Sequence, residues 1–77
     1  MITRMNQRIS KRYDKDFDVL YVMLKDAFTY TEDDPDYKNV VVKKAENDNS
    51  VVGLIIFDYR KKKTSFHKII KKYNLAA

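Results

Sequence analysis

The chain has no cysteine and no tryptophan, and carries one glycine, one proline and one histidine in 77 residues. Without cysteine, neither a disulfide framework nor a thiolate metal cluster can form, and the composition fits a reducing, cytoplasmic setting. The lone glycine, Gly53, excludes the Gly-rich loops that cradle phosphate in nucleotide-binding folds. The lone histidine, His67, excludes a Cys–His pair, and Ser65 two positions earlier on a helix would point away from it. Long hydrophobic runs are missing too. The apolar stretches at 19–24 and 51–57 fall far short of the ~20 residues needed to cross a bilayer. Nothing near Met1 resembles the apolar core of a secretion signal. These absences predict a soluble, cytoplasmic chain with no membrane association, no resident cofactor and no catalytic constellation.

What is present is 44% hydrophobic and 13% aromatic residues, a composition that folds. The length allows a single domain over 1–77 with a modest core. Small domains of this kind add disulfides, a metal or a partner subunit, and the first two lack their ligands here, so a homodimer is expected. The net charge of +5 hides a division along the chain. Residues 1–13 carry Arg4, Arg8, Lys11 and Arg12 with no acid, and residues 60–77 carry seven bases with no acid. The middle holds all eleven acids. A chain so divided is electrically two-sided.

Periodicity predicts an α+β fold, a small antiparallel β-meander of three to four strands with one C-terminal amphipathic helix packed on the sheet. Strands are expected at about 8–13, 18–24, 38–45 and 51–57, and a helix at about 62–73. Residues 14–17 and 46–50 are turn material rich in Asp and Asn. Residues 25–36, with Pro35 and several acids, read as a polar loop. Gly53 inside the last apolar strand marks a bulge or a close approach. Phe66, Ile69, Ile70 and Tyr73 form one apolar stripe, with Thr64 or Ser65 as a cap and Asp58 as the cap of an earlier start. Two strands are apolar on both faces, and one short helix covers one face, which again points to a second copy.

The stretch Tyr13-Asp14-Lys15-Asp16-Phe17-Asp18-Val19-Leu20-Tyr21-Val22, followed after a polar turn by Val51-Val52-Gly53-Leu54-Ile55-Ile56-Phe57-Asp58, resembles the small bacterial and archaeal proteins grouped as domain of unknown function 2283. The resemblance spans about residues 9–59, and this chain has a longer acidic loop and a more basic helix. It implies a small β-meander with a C-terminal helix and no established activity.

Two charged constellations are candidate binding features. Arg60, Lys61, Lys62, Lys63, Lys68, Lys71 and Lys72 form a cationic segment suited to nucleic-acid phosphates. Glu32, Asp33, Asp34 and Asp36 form a candidate acidic interaction loop. Asp14, Asp16 and Asp18 have the first spacings of a calcium loop, but Val19 stands where glycine is needed and Lys25 where glutamate is needed, so no metal is assigned. The leading functional expectation is a non-enzymatic protein-binding module, a homodimer or an antitoxin-like or inhibitor-like partner. It would act through an uncovered sheet face or an open edge, the latter lined by Val40 and Val42. The alternative is a small nucleic-acid binder using the basic helix.

Overall fold

The computed structural model describes residues 9–25 and 27–75. The two apolar runs become neighbouring strands in the middle of a sheet. In chain order the elements are β1 (Ser10–Asp14), β2 (Val19–Met23), β3 (Thr29–Asp33), β4 (Val40–Ala45), β5 (Val51–Phe57) and a helix, α1 (Phe66–Lys72). The strands lie in the order β1-β2-β5-β4-β3, every neighbour antiparallel. The class is α+β, as expected, but with five strands rather than three to four.

Because side chains alternate along a strand, register decides which face each residue serves. Leu20, Ile56 and Val40 stand opposite one another, as do Val22, Leu54 and Val42. These six side chains are buried, and Ile69 and Ile70 of the helix, with Leu75 just beyond it, close over them. The helix lays the expected stripe on this face. Ser65 caps it, its Oγ accepting the Lys68 amide at 3.3 Å. Its C-terminus turns through a left-handed Asn74 (φ 56°), and the amides of Leu75 and Asn74 bond back to Ile70 and Lys71 at 3.0 and 3.1 Å. That closure drops Leu75 into the core.

Several expectations need correction. Residues 25–36 are not one loop, for β3 occupies Thr29–Asp33. An edge strand needs no apolar face, and its Thr-Tyr-Thr run has the β preference that pairing with β4 exploits. The sheet is also not a plain meander. The Leu24 amide bonds to Val52 O and Phe28 O accepts the Glu46 amide, so the chain crosses the ends of β5 and β4 to reach the far edge. β3, β4 and β5 then return by hairpins, and β5 lies beside β2, a Greek-key order. Consequently β4 is interior, and Val40 and Val42 are core residues at 0% and 2% exposure rather than the lining of an open edge. The helix begins at Phe66, not near 62. Asp58 and Lys63 both take left-handed backbone (φ 51° and 52°), folding residues 58–63 into turns instead of a first helical turn.

Gly53 fulfils both of its expected roles. Lys43 pairs with Gly53 and Lys44 with Val51, so Val52 is the extra residue of a bulge. A Cβ on Gly53 would lie 2.7 Å from the Val22 carbonyl oxygen and 3.1 Å from Met23 Sδ. Since the first neighbour is backbone, the β2–β5 pair must separate to admit it. Gly53→Ala is expected to lower stability by about 1–3 kcal/mol in urea denaturation. An unchanged midpoint would show that the sheet yields there without cost.

Candidate functional site

Three surfaces hold the residues singled out by charge and pattern, and the structure sorts them differently from the sequence. The acidic stretch is divided. Glu32 and Asp33 lie on β3, where Glu32 pairs with Lys44 at 2.8 Å across the hairpin. Asp34 turns inward and is 4% exposed. Its Oδ1 accepts the amides of Asp36 and Tyr37, each at 2.8 Å, an Asx-type turn before β4. Lys72 Nζ donates to both carboxylate oxygens at 2.8 Å and to Asp36 Oδ2 at 2.7 Å, while the Tyr73 hydroxyl donates to Asp34 Oδ2.

Burial works to raise the Asp34 carboxyl, but the hydrogen bonds from Lys72, Tyr73 and the two amides outweigh it and hold the pKa at about 2. Burial and the same carboxylate push the Tyr73 hydroxyl up to about 12. The Lys72 ammonium is raised above its ordinary value by its bonds to Asp34 and then Asp36. With its acceptors occupied by four groups, Asp34 has no lone pair directed at an outside partner. The cluster fastens the end of α1 to the β3–β4 connection. Asp34 and Lys72 therefore leave their respective candidate sets and join the scaffold.

The basic segment is also subdivided. The Arg60 guanidinium stacks over the Tyr13 ring, 4.7 Å from its centroid. Asp18, itself left-handed (φ 58°), accepts the Arg60 amide at 2.9 Å, the Lys61 amide at 3.0 Å and the Tyr13 hydroxyl at 2.7 Å. The backbone bond from Arg60 leads the set that lowers the Asp18 pKa, and the bond to Asp18 raises that of Tyr13. Asp18 thus ties the first hairpin to the β5–α1 connection.

Lys62, Lys63 and Lys68, joined by Lys38 from the β3–β4 connection, line a shallow groove of about 490 Å³. Asn39, Thr64 and Ser65 supply its polar floor, with the Asn39 amide donating to Thr64 Oγ1 at 2.8 Å. Lys71 is exposed outside it. His67 is exposed on the helix. Arg4 and Arg8 lie outside the described residues; Lys11 sits over the Phe66 ring at 4.5 Å and Arg12 over the Tyr21 ring at 4.6 Å. Lys38 escaped the sequence reading because it is isolated in sequence and joins the other lysines through the β3–β4 connection.

The third surface is the sheet face opposite the helix. Tyr21, Met23, Val41, Ile55 and Phe57 project from it, Phe57 at 43% exposure and the others partly exposed. Among the described residues no element packs over it. The bounding strands are short and charged, Ser-Lys-Arg-Tyr-Asp in β1 and Thr-Tyr-Thr-Glu-Asp in β3, which discourages strand addition at either edge. No helix among the described residues is long and apolar enough to cross a membrane. No protein-family model, curated protein or solved structure matches the chain.

Proposed function

We propose that this chain is a non-enzymatic binding protein that acts by docking the sheet face opposite its helix onto another protein surface. The observation that carries the reading is the one-sided sheet. Among the described residues a helix lies over one face of the five strands, and Tyr21, Met23, Val41 and Ile55, half-buried, and Phe57, exposed, are left on the other. Surfaces of that kind, rimmed by charge, are the ones that associate. The strongly perturbed polar groups support the same reading from the other side: Asp34, Lys72 and Tyr73 satisfy one another, so none of the three is poised as an acid or base.

A second reading follows from the groove of Lys38, Lys62, Lys63 and Lys68, which gathers cations from two connections and the helix and suits a phosphate backbone. A photoreactive phenylalanine analogue placed in living cells at Phe57, and separately at Lys68, discriminates the two. Protein adducts at position 57 with none at 68 are expected. Nucleic acid captured at 68, lost when Lys62 and Lys63 become glutamine, would transfer the function to the groove, and absence of any adduct at 57 would sink the face.

A further inference from the structure

The register across the uncovered face places one chemically ordered row on it. Arg12 stands opposite Tyr21, Tyr21 opposite Ile55, Ile55 opposite Val41, and Val41 opposite Asp33. Read from edge to edge the row is cation, aromatic, aliphatic, aliphatic, anion. Its midpoint is Ile55 on the central strand, and its ends are opposite charges equally far from that midpoint, two strands to each side.

Such a row is complementary to its own image under one kind of rotation. We infer that the uncovered face binds a second copy of this chain, face to face, about a two-fold axis running roughly along β5. The inference rests on the interaction reading above and gives it a partner. The axis superposes Ile55 on its own copy and Tyr21 on the partner's Val41. At the two rims Arg12 then faces the partner's Asp33, twice. The neighbouring row, Ser10, Met23, Gly53, Lys43 and Thr31, meets its image with Gly53 on the axis. Phe57 meets its own copy on the other side of Ile55.

Sheets packed face to face lie about 10 Å apart, a gap that an arginine reaching towards an aspartate closes. A two-fold axis running across the strands would instead place Arg12 on Arg12 and Asp33 on Asp33, so the charges select the first axis. The arrangement is isologous and closes at two copies. Edge-to-edge addition of basic β1 to acidic β3 would not close and would yield polymers.

Charge exchange between separate molecules tests the inference. Arg12→Asp alone leaves acid facing acid, and Asp33→Arg alone leaves base facing base, yet a mixed pair of these two variants restores both contacts. Both positions are exposed, and circular dichroism confirms folding of each variant before association is measured. Sedimentation equilibrium of the full chain is expected to show a wild-type dimer, each variant weakened by about tenfold or more, and an equimolar mixture recovered to near wild type. A mixture no tighter than its components, or open polymers, overturns the inference. If the purified chain is monomeric while position 57 captures a different protein in cells, the second copy is wrong and the interaction reading stands. A monomer with no adduct at 57 removes both.

Discussion

Asp34→Ala is expected to cost about 3–5 kcal/mol, towards the lower end because the partner it abandons, Lys72, is 28% exposed in its side chain and can turn to water. The carboxylate is the acceptor for Lys72, Tyr73 and two backbone amides at once, so its removal opens the Asx-type turn and frees the last turn of α1 together. A chain of this length has roughly 4–12 kcal/mol of stability in all, so the variant loses a large share of it. The acid dependence carries the sign. The folded pKa of about 2 lies below the ordinary 3.8, so this contribution is fully present above about pH 4 and is lost as pH falls through 2. The gap between wild type and Asp34→Asn should narrow by about 2 kcal/mol between pH 5 and pH 2 in urea titrations. A constant gap over that range would mean that the carboxylate charge contributes nothing to the fold.

Leu54→Ala is expected to cost about 3–5 kcal/mol, since Leu54 is 0% exposed between Val22 and Val42 and beneath the helix. The helix bridges the space above it, and a rigid five-strand platform cannot sink to fill the void. The adjacent residue on the same strand provides the internal control. Ile55 points to the opposite face and is partly exposed, so Ile55→Ala should cost about 1 kcal/mol when measured at dilutions where association does not contribute. Equal losses at 54 and 55 would contradict the assignment of faces on which the docking surface depends.

Much of this arrangement was legible in the residues. The runs at 19–23 and 51–57, the Asn- and Asp-rich turn between β4 and β5 and the stripe Phe66, Ile69, Ile70 and Tyr73 each follow one local rule, and each falls where that rule puts it. β3 was illegible because an edge strand that buries little has no apolar alternation to show. The helix start was obscured because Arg60 to Lys63 are compatible with a helix, and what stops them is the left-handed backbone at Lys63, where the Lys63 and Thr64 amides turn back to the Arg60 and Tyr59 carbonyls at 3.0 and 3.1 Å. The inward turn of Asp34 had a local signal in the Asp-Pro-Asp-Tyr order, an Asx-turn pattern. Its bond to Lys72, 38 positions away, had none. The charged row from Arg12 to Asp33 could not be read at all, because it exists only once strand order and register are known.

The position of β5 has a consequence for how the chain is made. The central strand is the last to leave the ribosome, and its two neighbours, β2 and β4, are complete before it exists. Until residues 51–57 emerge, the nascent chain holds two separate hairpins, each with an unpaired apolar strand facing the gap. Joining them requires the non-local β2–β5 pairing, the slow class of contact in sheet folding. The last-made strand converts two sticky halves into one sheet, so a ribosome stalled before residue 51 would release an aggregation-prone fragment rather than a smaller version of the same fold.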